Sequence, residues 1–539
     1  MSAEITHNSP PSADGGPGLR VWSLVLPQAD RLVCYARTPP QFALELARRG
    51  VRVDVVSRCD FELWTDTLQG APPELRCLWE PDPDANYDAA VLWDPETGAD
   101  VRDWLARVRA LPVAPRELAA WSRNPLTHSG APYWWRMDAW MEHAGWRLGT
   151  AQLGLPHVDR VRQIVDWDAY AHTPLIRHRR THRAWRAWLA RQPASRWTVP
   201  ARLRRASRGS VNPSASILEA ILADLAQTCN ASPHVDRFLV SPNGTAIVLV
   251  QLLGAPGAER VVLKVPFTAA AEPRVIANAA ALDWLALQAP RLGSWSAAFP
   301  RLRARGCTGG WSWTAEEFAA GSDAQSWTAA EKDRALEVLG GCLETFAALG
   351  TPARSLDAAA LDAHIGASFR DATRLLPAPL AERLNAVRTR LLDALRDVPV
   401  PLVPRHGDFK LENVLGRADA LESWRVLDWE LWMPRGLPLL DAWHLIASRR
   451  SRDAGCAMGS AVRRWVLAGD LSAPERALLG RLSRGLDPRY VAVAPLLYWL
   501  DRVGPVAARG AWPAPGWVAA NVTPVLEALP ASGALEVGT

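Results

Sequence analysis

Short apolar runs alternate with helix-spaced stretches over residues 19–112 of the chain. Residues 20–26, 51–57 and 87–93 are strand-length. Residues 40–50 space Phe42, Leu44 and Leu46 for one helical face and end in a glycine suited to a helix stop, and residues 99–111 again have helical spacing. Strands alternating with helices predict a parallel α/β sheet. Residues 113–165 are rich in tryptophan and carry no clear period. From about residue 216 a second α/β texture begins. Residues 238–240 and 246–253 are apolar and flank Ser241-Pro242-Asn243-Gly244, a strong hairpin signal. A third strand is predicted over 260–267, a helix over 273–288, and mostly helix from 321 onward.

Composition changes this picture in three places. At 539 residues the chain is too long for one core. The expected division is a tail over 1–18, an α/β domain over 19–165, a linker over 166–215, a small lobe over 216–320, a large lobe over 321–530 and a tail over 531–539. Only Lys264, Lys332 and Lys410 are lysines among 61 Lys plus Arg. Where arginine serves as the generic cation, a remaining lysine marks a position needing a compact ammonium, although Lys332 reads as an exposed helix residue. Between Arg177 and Arg208 there are eleven arginines, three tryptophans and no acid. That run reads first as a solvated linker, and otherwise as a patch for an anionic surface or polymer.

The remaining bulk features exclude classes. A net charge of +5 is modest for this length, so nucleic acid is not expected. No run approaches a membrane span and the first eighteen residues lack a signal pattern. Seven cysteines (34, 59, 77, 229, 307, 342 and 456) are scattered without a CxxC pair, which reads as reduced thiols in a cytoplasmic protein.

The densest chemistry lies in Arg405-His406-Gly407-Asp408-Phe409-Lys410-Leu411-Glu412-Asn413, followed by Asp428-Trp429-Glu430. Phosphoryl transfer needs a carboxylate near the acceptor hydroxyl, oxygen ligands for magnesium and a cation on the phosphates. An Asp with an Asn five residues later on one loop supplies the first and one ligand. A second Asp at the end of a strand-like stretch supplies another.

These residues resemble the aminoglycoside phosphotransferase and choline kinase family of the protein-kinase-like fold, across roughly residues 230–510. The resemblance implies Asp408 as catalytic base, His406 as organiser of the loop, and Asn413 and Asp428 as magnesium ligands. Gly436-Leu437-Pro438-Leu439-Leu440-Asp441 is similar to the family's opening of the next helix. Lys410 resembles the lysine two after the base in protein kinases, which contacts the transferred phosphate. Lys264 resembles the small-lobe lysine that binds nucleotide phosphates, under a hairpin at Gly244. Glu317 and Phe318 resemble the link between lobes whose backbone meets adenine. The family's helix glutamate that pairs with the lysine is replaced by Asn278 in the matching position. Glu272 is the nearest acid, so Lys264 pairs with it or lacks its usual partner.

The implied protein is a bilobal kinase-like enzyme using ATP and Mg2+ to phosphorylate a hydroxyl of a small molecule. From Ser451 onward nine arginines face seven acids, which gives no support to a polycationic acceptor. The alternative is a kinase-like binding module without strong catalysis in a biosynthetic or envelope assembly. The first half resembles a class I methyltransferase domain, a Rossmann-like sheet. The turn after its expected first strand, Pro27-Gln28-Ala29-Asp30, lacks the glycines that admit a cofactor, which makes it a degenerate scaffold or an interaction domain.

Overall fold

A computed structural model describes residues 22–36, 40–57, 71–95, 98–123, 137–157, 160–166, 201–208, 215–241, 243–254, 259–355, 376–507 and 515–529, with isolated positions between 359 and 373. The described chain divides into two units. One draws on residues 11–276 and 302–318, the other on 277–301 and 319–539.

The first unit is built on one thirteen-stranded sheet. Its strands are β1 (Arg31–Ala36), β2 (Arg52–Val56), β3 (Leu75–Leu78), β4 (Ala89–Trp93), β5 (Glu117–Arg123), β6 (Arg147–His157), β7 (Arg160–Asp166), β8 (Ala201–Ser207), β9 (Ser232–Val240), β10 (Thr245–Leu253), β11 (Arg260–Pro266), β12 (Leu302–Thr308) and β13 (Trp311–Glu317). Their order is β12-β13-β11-β10-β9-β7-β6-β8-β5-β4-β1-β2-β3. The pairings among β1 to β5 are parallel. Those from β5 through β8 to β13 are antiparallel.

β1, β2 and β4 are buried on both faces, which is why they read as continuous apolar runs, whereas the edge strand β3 is only partly buried. Leu32, Cys34 and Ala36 of β1 join one core, and Val33 and Tyr35 the other. The first core continues along the sheet to Val248, Leu263 and Trp313. The helix Gln41–Ala47 covers it with Phe42 and Leu46, and the helix Ile217–Cys229 with Ile221 and Leu225. That second helix is bounded locally. Ser216 and Glu219 form a reciprocal capping box at its start, and Asn230 closes it in the left-handed conformation.

Three expectations change. Of the strand expected over 20–26, the described residues 22–26 form no strand: Trp22–Leu24 is a short 3-10 turn, and the first described strand is β1. The glycine-poor turn Pro27–Asp30 therefore precedes β1, and the turn that follows β1 lies outside the described residues. The expected linker 166–215 ends in a strand. Most of the arginine run is outside the described residues, but β8 sits between β5 and β6. Ion pairs explain how so basic a segment enters a sheet. Leu203 is buried, Arg204 pairs with Asp138 at 2.8 Å, and Arg205 meets Glu219 at 3.1 Å and Glu117 at 3.6 Å. Finally, the strands expected to form a separate small lobe lie in the same sheet as those of the first half.

The second unit is mainly helical. The helix Ala329–Ala348 starts at a capping box of Thr328 and Glu331. Lys332 on it is buried, not exposed, and its ammonium meets Asp453 Oδ1 at 2.6 Å. The helix Pro488–Ala507 buries Val493, Leu496, Leu497, Tyr498, Trp499 and Leu500. Among the described residues no helix is long and apolar enough to cross a membrane. The six described cysteines are free thiols.

Candidate active site

Two short strand pairs of the second unit hold the motif loops side by side. Val403–Arg405 pairs with Met433–Gly436, and Val414–Arg417 pairs with Ala420–Val426. The loop 406–413 and the loop 427–432 each cross between these pairs. Leu427 N donates to Asn413 O at 2.8 Å and His406 Nε2 reaches Leu427 O at 2.8 Å. Asn413 is thereby brought beside the segment entering Asp428, whose backbone is left-handed at φ 68°.

Gly407 is required by its surroundings. Its φ is +83°, and a Cβ there would lie 2.1 Å from Leu431 O. The loop is then clamped by a carboxylate. Asp441, in the first turn of the helix Leu440–Ala454, accepts from His406 N at 2.7 Å and from Gly407 N at 3.1 Å. His406 is fully buried and organises the loop from within: its Nδ1 accepts from Asp408 N at 3.1 Å. That leaves Nε2 as the donor to Leu427 O, a neutral imidazole. Burial, the main influence on His406, lowers its pKa accordingly.

Asp408 is surrounded by donors. Lys410 Nζ lies 2.7 Å and Asn413 Nδ2 3.0 Å from Oδ2. His444 Nε2 lies 2.9 Å and Arg502 Nη1 3.4 Å from Oδ1. Burial would raise this carboxyl, but the hydrogen bond from His444 and the ammonium of Lys410 outweigh it and hold Asp408 well below the usual carboxylate range. Behind it, Asp501 is sandwiched between Arg405 at 3.0 Å and Arg502 at 3.0 Å. Arg502 also donates to Gly407 O at 2.6 Å. His444, Asp501 and Arg502 were not expected from sequence. The Asp441 clamp reaches the loop from a helix whose start alone was legible.

The second loop is anchored by Asn278, the residue standing where a glutamate was expected. It is buried, and its Oδ1 accepts from Trp429 N at 3.1 Å. The Trp429 ring lies against His406, with centroids 4.4 Å apart.

The other expected site residues belong to the first unit. Lys264 is buried on β11 and pairs at 3.2 Å with Glu316 of β13, 6% and 4% exposed. Its partner is therefore on the neighbouring strand, and the expectation of Glu272 or none is corrected. Glu272 is engaged elsewhere, accepting from Ser312 Oγ at 2.7 Å and facing Arg49 at 3.5 Å. Gly244 occupies the β9–β10 turn at φ +87°, where a Cβ would strike Thr268 Oγ1 at 2.2 Å. Glu317 pairs with Val261 across β13 and β11, and Phe318 N extends that ladder by donating to Arg260 O at 3.2 Å. Its N–H is thus already used by the sheet.

No curated protein sequence matches the chain significantly. Among solved structures, the chain is similar to a thermostable mutant of aminoglycoside phosphotransferase APH(4)-Ia in its apo form, at 12% identity and a TM-score of 0.37, over 57% of this chain and 98% of that one. A glucosamine kinase gives 17% identity and a TM-score of 0.32, over 55% and 91%. Aminoglycoside phosphotransferase APH(3'')-Id from Streptomyces rimosus gives 18% and 0.32, over 53% and 96%. Residues 243–477, which include both motif loops, match the phosphotransferase enzyme family.

Proposed function

We propose that this protein is a small-molecule kinase that uses ATP and magnesium to phosphorylate a hydroxyl group. The observation that carries this reading is Asp408, an ionised carboxylate flanked by Lys410 and Asn413 on a loop clamped by Asp441. Asn413 spends its amide nitrogen on Asp408, so its carbonyl oxygen is the half suited to a hard cation, and Asp428 follows the backbone contact from Leu427 to Asn413. These two side chains would hold the magnesium, which when bound neutralises charge on the nucleotide phosphates.

The remaining chemistry belongs to the chain. The acceptor oxygen bonds to the γ-phosphorus, the bond to the β–γ bridging oxygen breaks, and the hydroxyl proton goes to Asp408. Lys410 stabilises charge on the transferring oxygens. Lys264, paired with Glu316, would bind the nucleotide phosphates.

The test is a phosphate-transfer screen over sugars, amino alcohols and nucleosides with ATP and magnesium, with Asp408→Asn as control. Transfer by the wild type and a loss of about 10²–10⁴-fold in the variant, with nucleotide binding retained, supports the reading. Equal turnover by both proteins overturns it.

A further inference from the structure

Asp408 carries four donors on two oxygens, and the two pairs differ in kind. A carboxylate oxygen offers about two lone-pair sites, so Oδ1 and Oδ2 are both saturated. The donors to Oδ1 are themselves fixed. Arg502 is tied to Asp501 and to Gly407 O. His444 is held by Tyr498, whose hydroxyl lies 3.1 Å from Nδ1. Because a carboxylate only accepts, His444 Nε2 must carry the proton that meets Oδ1. Burial and the charge of Arg502 lower the His444 pKa and keep the ring neutral, so Nδ1 is the lone pair that accepts from Tyr498. Tyr498 to His444 to Asp408 is thus a one-way chain of donors, with both donors, Tyr498 and His444, on buried helical faces.

The donors to Oδ2 have other work. Lys410 is about a quarter exposed and is the cation for the transferring phosphoryl group. Asn413 shares its Nδ2 between Oδ2 and the Asp408 backbone carbonyl, 2.9 Å away. We propose that His444, backed by Tyr498, is a positioning residue that pins Oδ1 and so makes Oδ2 the oxygen that receives the acceptor proton. This rests on the phosphotransferase reading. When Lys410 turns to the phosphoryl oxygens, Oδ2 loses a donor and gains room for the acceptor hydroxyl. Oδ1 stays bonded, and the carboxylate plane cannot rotate. The proton moves from the acceptor oxygen to Oδ2 as the phosphorus–oxygen bond forms and the diphosphate departs with its electron pair.

The experiment uses the full chain with Mg-ATP and two acceptors, water (ATP hydrolysis) and glucosamine. It compares wild type, His444→Phe, His444→Gln and Tyr498→Phe. His444→Phe should lower kcat about 10- to 100-fold with KM for ATP changed less than about twofold, the signature of lost orientation rather than lost nucleotide binding. His444→Gln, which keeps an N–H donor, should recover a substantial part of kcat, and Tyr498→Phe should cost about three- to tenfold. Wild-type kcat in His444→Phe, or an increase in KM matching the fall in kcat, would overturn the proposal.

Nitrogen-15 spectra of histidine-labelled protein supply an independent readout. His444 should show a protonated Nε2 and a bare Nδ1, with Nδ1 moving in Tyr498→Phe and Nε2 in Asp408→Asn. The opposite tautomer overturns the proposal even in an active enzyme, and leaves the phosphotransferase reading standing. A wild type that turns over neither water, glucosamine nor any acceptor of the wider screen removes that reading and the proposal with it.

Discussion

Lys264 and Glu316 form a buried ion pair across adjacent strands, 3.2 Å apart. The register explains it. Lys264 stands opposite Thr314 and Val262 opposite Glu316, so the two charged residues are diagonal neighbours on one face. Truncating one partner removes this buried charge–charge contact. Glu316→Gln should destabilise the protein by about 3–5 kcal/mol, and the double change Lys264→Met with Glu316→Leu should restore most of that. A double-mutant cycle on thermal unfolding checks both, and nucleotide affinity should fall in every variant lacking the lysine.

Gly407 should not tolerate a side chain. Gly407→Ala meets a positive φ, costing about 1–3 kcal/mol, and a backbone carbonyl inside contact distance besides. The expected result is a lowered midpoint in urea together with lost turnover, since the same peptide carries one of the two N–H groups held by Asp441.

Arg49 should be a strong contributor to the first unit. It stacks over Trp311 with its guanidinium carbon 3.7 Å from the ring centroid and donates to Gly310 O at 2.8 Å and Pro266 O at 3.1 Å. Arg49→Ala should cost about 2–3 kcal/mol, and Arg49→Lys little less, because an ammonium cannot bridge two carbonyls while lying flat on indole. Urea unfolding of the three proteins measures the difference.

Stability should fall as pH drops below about 6.5. His406 and His444 are buried and their pKa values are lowered from the ordinary value, so the folded protein resists a proton that the unfolded chain accepts. Their contribution is complete above the unfolded value and is lost as pH falls toward the folded values. Asp408 and Asp501, also depressed, add a second loss only below about pH 4. Unfolding midpoints at pH 7.5, 6.5 and 5.5 should decrease in that order. In His444→Gln the decrease should be smaller.

Local signals carried much of this structure into the sequence. The Asn243-Gly244 turn, the apolar run around Lys264 and the loop from His406 to Asn413 each depend on neighbours a few residues away, and each stands where its pattern placed it. What distant packing decides was not legible. Glu316 follows Lys264 by 52 positions and meets it through strand register alone. His444 and Arg502 approach Asp408 from two helices whose facing is set by the core. Lys332 looked like a surface cation because nothing near it in sequence shows that Asp453 will cover it. The arginines of β8 looked like a linker because their acids, Asp138, Glu117 and Glu219, come from three separate segments.

The thirteen-stranded sheet also has a consequence for synthesis. Its strands do not follow chain order: β8 must slip between β5 and β6, and β13 joins β11 only after residues 277–301 have been made for the other unit. A nascent chain cannot finish the sheet until residue 317 has left the ribosome. More than half of the protein is therefore translated before its first unit can close, and the edges of β5 and β11 must wait in the meantime without their final neighbours.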